Sequence, residues 1–402
     1  MTADSASAMS SQDVMALEKQ YILGTYTRPP FVLDHGEGCW VYDTEGKAYL
    51  DCVAGIAVNA LGYGDAALEA ALVGQAGKLW HTSNLYYTAP QVRLAQLLCE
   101  NSFADKVFFC NSGAEANDSA FKFARKWAGT NLGADKHVIV AFTGAFHGRT
   151  YGALSATPKE KYQAPFRPLL PGIQIAPFND LAGTAKLMND AVCAVIVEPV
   201  QGEGGVFPAD REFLRGLRAL CNRYNALLIF DEVQCGMGRT GTLWAYQGYG
   251  VTPDILTTAK PLAGGLPMGA VLMTERVAEV MHPGDHGSTF AGSPLVASVA
   301  EVLVKRVADP EFLACAAESG RYLLDRLQTA QLPHVTEIRA RGLMVGLDVD
   351  VTAAGAIKAA QGQGLLVASA GPQTLRLLPP LIITPKEIDV AVERLGAALR
   401  SL

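Results

Sequence analysis

The chain has 402 residues, of which 50% are hydrophobic and 18% charged, and a formal net charge of −6. A chain of this length buries a large core and forms more than one lobe, while the acidic balance and the lack of a Lys/Arg run exclude nucleic acid or an anionic membrane surface as a partner. The longest apolar stretches are strand-sized and broken by Gly, Pro or acids, so no segment is expected to span a bilayer.

Residues 1–20 include Asp4, Asp13 and Glu18 and lack a basic, apolar, cleavable pattern, so a lead-in helix is expected rather than a signal peptide. Residues 31–60 alternate around turn signals at His35-Gly36-Glu37-Gly38 and Asp43-Thr44-Glu45-Gly46, the pattern of a small meander. The middle of the chain alternates β-rich runs with helical windows, which predicts a parallel sheet with crossover helices. The expected strands are Lys106–Cys110, His137–Phe142, Ile173–Ala176, Ala191–Val197, Ala226–Phe230, Ile255–Thr258 and Gly269–Met273, with helices over Ala114–Trp127 and Arg211–Tyr224. Several of these strands are nearly continuous apolar runs, as expected where both sheet faces are covered.

Residues 65–305 are therefore expected to form one large α/β domain. Residues 334–402 mix strands at Val335–Arg339, Leu343–Asp348 and Thr374–Leu377 with a helical tail. Segments 1–64 and 306–402 are expected to combine into a smaller α+β domain. The eight cysteines form no C-x-x-C pair, and no His is spaced to share a metal with them. Reduced thiols, a cytoplasmic setting and no metal site are the expectation.

Chemistry concentrates at the ends of the expected strands. The run Ala226–Phe230 ends in Asp231-Glu232-Val233-Gln234, and Pro253–Ala259 delivers Lys260 into the loop Pro261–Gly265. An acid at one strand end and a lysine after the next is what a pyridoxal phosphate enzyme requires: the amine condenses with the aldehyde and the carboxylate keeps the ring nitrogen protonated. Asn111–Asn117 turns from a strand into a helix with free N–H groups, a cradle for the phosphate of such a cofactor. In Thr143–Thr150, Phe146 can stack on a ring and Arg149 can bind a carboxylate, although a core aromatic and a surface charge would look the same. Glu198 and Glu203 follow the Ala191–Val197 strand, where either could neutralise an Arg or merely cap the next segment. Gly236–Gly241 matches G-x-G-x-x-G but should not bind a dinucleotide, because Thr242–Tyr246 reads as an aromatic loop rather than a helix. His286–Gly292 carries two hydroxyls in a small-residue turn.

Together these stretches resemble the class III (ω-amino acid) aminotransferases of fold type I, from about Tyr21 to the C-terminus. The motifs are N-S-G-A-E-A-N, F-H-G-R-T, E-P-V-Q-G-E-G-G, I-F-D-E-V-Q-x-G-x-G-R-T-G, T-T-A-K-P-L-A-G-G-L-P-x-G and G-S-T-F. The stretches Gly55–Gly62 and Asn84–Gln91 are most similar to the branch that acts on N2-acetylornithine. The resemblance implies a pyridoxal 5'-phosphate aminotransferase with 2-oxoglutarate and glutamate as the other substrate pair, working as a homodimer with shared sites. Related ω-aminotransferases take ornithine, succinylornithine, 4-aminobutyrate or an acylated lysine, and a non-catalytic regulatory relative is the remote alternative.

By the same resemblance, Lys260 would be the Schiff-base lysine and proton shuttle, and Asp231 would face the pyridinium nitrogen. Gln234 would lie near the phenolic oxygen and Phe146 would stack on the ring. Ser112, Gly113 and Ala114 would hold the phosphate, joined by the partner's Thr289. Arg149 would bind the distal carboxylate, Ser288 the acylated substrate and Arg376 the α-carboxylate of glutamate, with Glu203 screening Arg376 in the other half-reaction. Ala114 replaces the Thr of many relatives. Ile56 stands where ornithine-specific relatives carry an aromatic that meets the free α-amino group, which suits an N-acyl substrate.

Overall fold

The computed structural model describes residues 9–402. Seven strands form the central sheet in the order Lys106–Cys110, Gly269–Met273, Ile255–Thr258, Leu227–Asp231, Val192–Val197, Val138–Phe142 and Ile173–Ala176. Gly269–Met273 runs antiparallel to both neighbours, while the others share one direction. All of the expected strands are present in this sheet, with ends displaced by no more than one residue.

The continuous apolar character of these strands has a direct cause. Successive side chains point to opposite faces, and each face meets its own core. Val195, Val197, Leu228 and Phe230 pack into one; Ala194, Ile196, Leu227 and Ile229 pack into the other. Helix Gly113–Asn131 covers the second face with Ala116, Ala120, Phe123, Ala124 and Trp127, a three-and-four spacing that makes one stripe. Helix Arg211–Arg223 covers the first with Phe213, Leu214, Leu217 and Cys221.

Both chain ends meet beside this body. Leu33–Glu37, Trp40–Asp43 and Ala48–Asp51 form the expected meander, and Leu365–Leu366 joins it in parallel with Ala48–Asp51. A second sheet takes Val335–Arg341, Met344–Val349, Thr374–Leu377 and Ala368–Ser369. The tail Pro385–Arg400 is a helix fixed by reciprocal bonds between Thr384 and Glu387 and buries Ile388, Val392, Leu395 and Leu399. Helix Pro294–Val307 continues past residue 305. The lead-in helix spans Ser11–Tyr21 and buries no side chain; the rest of that expectation, at residues 1–8, lies outside the described residues.

One local expectation is corrected. Residues 245–249 form a short helix where a loop was expected. The buried Glu232 carboxylate accepts from Ala245 N (2.5 Å) and Tyr246 N (2.8 Å), supplying the cap that Trp244 lacks as a residue type. The glycine turn before it serves packing. Arg239 is buried with no carboxylate partner among the described residues, donates to Leu343 O (3.0 Å) and Pro379 O (2.6 Å), and ties the turn to the C-terminal segment. Among the described residues, no helix is long and apolar enough to cross a membrane, and no group of three potential metal ligands exists.

Candidate active site

Register brings the acids and the lysine together. Phe230 pairs with Val197 on one side and Leu256 on the other, so Asp231 and Glu198 leave adjacent strands at one level. Lys260 leaves the next strand after Thr258, at the start of a tight turn over Lys260–Ala263. The helix start at Gly113 and the loop after Val138–Phe142 close a cavity of about 270 Å³. Gly113, Ala114, Phe146, Arg149, Glu203, Asp231, Gln234 and Lys260 all line it. Such a crevice outside the carboxyl ends of the strands is where an α/β sheet places its ligand.

Asp231 is 3% exposed and heavily partnered. Its Oδ2 accepts from Asn117 Nδ2 and lies 2.7 Å from His147 Nδ1, while Oδ1 accepts from Val233 N at 3.0 Å. Since a carboxylate only accepts, His147 Nδ1 carries the proton. Asn117 is itself fixed, donating also to His147 O and accepting from Thr257 Oγ1. Three donors thus hold the carboxylate in one orientation at the cavity floor. Burial lowers the Lys260 amine from its ordinary value and the Arg376 cation lowers it further, against the opposing pull of Glu203, Asp231 and Glu198. The amine is thereby biased toward its neutral, nucleophilic form. Burial pushes Glu198 up to about 7 although Phe146 N (2.9 Å) and Gly202 N (3.1 Å) both donate to it.

The helix terminus is shaped for an anion. Ser112 is the N-cap, its hydroxyl accepting from Glu115 N at 3.2 Å, so that hydroxyl is engaged by its own helix. A Cβ on Gly113 would sit 2.6 Å from Val233 Cγ1, and one on Gly148 would sit 2.6 Å from Ala114 Cβ. Only glycine at both places lets this terminus approach the cavity so closely. Arg149 is exposed and stacks over Tyr162 at 3.4 Å and over Phe146 at 5.7 Å from the ring centroids. Aromatic contact holds its guanidinium at the cavity wall, with no carboxylate of the described residues attached.

Arg376 is 2% exposed. Its Nη2 lies 2.5 Å from Glu203 Oε1, Nη1 donates to Gln234 Oε1 at 3.1 Å, and Nε has no partner among the described residues. Arg376 opposes burial and holds the Glu203 carboxyl below its usual range. Ser288 and Thr289 are not brought to this cavity. Ser288 accepts from Asn111 Nδ2 at 2.9 Å beside a separate hollow, and Thr289 is exposed. Ile56 also lies off the cavity wall. It sits in a left-handed run, Ala54–Ala57 all having φ between +49° and +64°, a conformation strained for a β-branched residue.

Sequence reasoning passed over Asn117, His147 and Tyr162. The first two lie within motifs already singled out, and their role is visible only once Asp231 is across from them. Tyr162 has no sequence signal of its own.

The chain belongs to the class-III aminotransferases, whose family pattern matches residues 23–399. Over 98% of its length it is 48% identical to a mitochondrial acetylornithine aminotransferase of Alnus glutinosa, covering 88% of that protein. It is likewise 48% identical to a succinylornithine transaminase of Yersinia pseudotuberculosis over 95% of both chains. An ornithine aminotransferase structure from Toxoplasma gondii, crystallised with oxidised glutathione and reported with partial occupancy of PLP at its active site, superposes with a TM-score of 0.94 at 32% identity, over 98% of this chain and 94% of that one.

Proposed function

We propose that this aminotransferase moves the δ-amino group of N2-acetylornithine to 2-oxoglutarate, giving N-acetylglutamate 5-semialdehyde and glutamate, a step of arginine biosynthesis. The observation that carries this reading is the pair of differently prepared cations: Arg149 without an acid and Arg376 covered by Glu203. N2-acetylornithine brings one carboxylate, distal to its reacting amine, whereas glutamate brings two. Arg149 serves the distal carboxylate of both substrates. Arg376 serves the α-carboxylate of glutamate alone, and Glu203 neutralises it while acetylornithine's methylenes lie alongside.

The donor set fits pyridoxal 5'-phosphate: an amine of lowered basicity, a rigid carboxylate, an aromatic wall and a helix terminus open to an anion. When bound, that cofactor supplies an electron sink for charge at the reacting carbon. Asp231 would hold the ring nitrogen's proton, with Phe146 stacked on the ring and Gln234 near its phenolic oxygen. Ser112, Gly113 and Ala114 would hold the phosphate. Lys260 would take the proton from the substrate carbon and return it at the cofactor carbon. Thr289 and Ser288 lie off their own chain's cavity, which supports a homodimer in which the partner's Thr289 reaches the phosphate and the partner's Ser288 meets the acyl group. Residues 65–305 would be the cofactor-binding domain, and 1–64 with 306–402 the smaller one. The eight unbonded cysteines support a reducing compartment such as the cytoplasm.

Arg376→Ala is expected to slow the 2-oxoglutarate half-reaction by about 2 kcal/mol, roughly 30-fold, as for loss of one member of a buried charge pair. The acetylornithine half-reaction should lose far less. Stopped-flow absorbance of each half-reaction checks this, and equal losses would remove the dual-specificity assignment. The same assay with N2-acetylornithine, N2-succinylornithine and ornithine ranks the donors. Turnover fastest with free ornithine would overturn the N-acyl reading.

A further inference from the structure

Arg376 raises a problem that its pairing with Glu203 does not solve. A dicarboxylate can reach the buried guanidinium only if the Glu203 carboxylate leaves, and a displaced, partly buried acid without a cation is costly. The backbone cannot carry it away. A Cβ on Gly202 would lie 2.1 Å from Gln234 Oε1, and one on Gly204 would lie 2.7 Å from Gly144 O, so the main chain on both sides is packed tight. Movement must be rotation of the Glu203 side chain.

One direction offers room. Glu203 lines the active-site cavity and also a second, adjoining hollow of about 610 Å³. The acids on that hollow are already engaged: Asp348 pairs with Arg339 at 2.6 Å and Asp350 with His334 at 2.8 Å. The only cation among its described lining residues is Lys159, which forms no ion pair with any described residue. Its Nζ donates to the backbone oxygen of Glu203 at 2.7 Å, so the ammonium already stands beside the residue that must move.

We propose that Lys159 is a positioning residue that receives the Glu203 carboxylate when a dicarboxylate displaces it from Arg376. This rests on the reading of Arg376 given above. Glu203 then alternates between two cations and is never left unpaired. Lys159 occupies the N-cap position of the turn Glu160–Gln163, whose Tyr162 stacks under Arg149. One short segment thus positions the groups that handle both substrate carboxylates. The electrostatics agree: burial lowers the Lys159 amine, Arg376 and Arg149 add to that, and Glu203 and Glu198 oppose it. An arriving carboxylate strengthens the opposing influence.

The test is calorimetric titration of the cofactor-loaded protein with two unreactive ligands. Glutarate needs Arg376 uncovered, whereas N-acetylnorvaline, the N2-acetylornithine skeleton without its δ-amine, does not. Lys159→Met should weaken glutarate on the order of 10-fold, the size of one lost charge contact, and leave N-acetylnorvaline within about twofold. Lys159→Arg should restore glutarate binding. Unchanged glutarate affinity, or equal weakening of both ligands, overturns the proposal. Arg376→Met separates the two levels. If it abolishes glutarate binding while Lys159→Met changes nothing, the role of Lys159 alone falls; if glutarate still binds, the reading of Arg376 falls too.

Discussion

Lys260→Ala is expected to abolish transamination and all covalent capture of pyridoxal phosphate while leaving a folded protein. Among the described residues the side chain makes no hydrogen bond, and its amine is disfavoured as a cation by burial and by Arg376. Truncation should therefore cost little stability in the cofactor-free protein, and the two apo forms should melt at similar temperatures. The loaded forms should differ, because a ligand that binds the native state alone raises its melting point. Borohydride reduction followed by peptide mapping checks the assignment: the label should sit on Lys260 in the wild type and be absent from the variant. The pH dependence has a definite sign. Since the ammonium is destabilised, the amine loses its proton below the range of a free lysine, near 10.4. Capture of the aldehyde should accelerate with rising pH and level off below that range. Labelling of a different lysine, or a capture profile that levels off only in the ordinary lysine range, would show that the amine is not poised as described.

Asp231→Asn should give the second largest loss, on the order of 10³-fold in the proton-transfer step, as when a preorganised charge is removed from a water-poor site. The shape of the site should survive, because Asn retains one oxygen to accept from Asn117 or His147. Its amide, however, presents a donor toward groups that are already donors, His147 Nδ1 at 2.7 Å among them. Single-turnover absorbance with an amino donor deuterated at the reacting carbon provides the measurement. A slower step with a larger isotope effect is expected. Unchanged turnover would mean that another acid faces the cofactor ring.

Much of this is legible in the amino-acid sequence. The seven strands stand out because each is a short apolar run that must feed two cores, so its composition is dictated at every position. Asp231 and Lys260 stand out as a pair, an acid and an amine leaving successive apolar runs, which is the combination that a Schiff-base cofactor requires. The turn Asn111–Asn117 is likewise local: a capping Ser, a Gly and a helical stripe within a few residues.

Other features depend on what is distant in the chain. Asp231 and Glu232 are adjacent acids, yet strand alternation points one into the cavity and sends the other to cap Ala245–Tyr249, which is why a loop was expected there and a helix formed. Asn117 and His147 acquire their role only where a helix and a loop from separate crossovers meet Asp231. The match of Arg376 with Glu203 belongs to the docking of the C-terminal sheet against the strand ends, and the place of Lys159 beside Glu203 to the meeting of two loops that are distant in the chain. Periodicity and turn chemistry report what a residue does to its own segment. A partner far away in the chain leaves no mark in that local pattern, so only packing decides which charges meet.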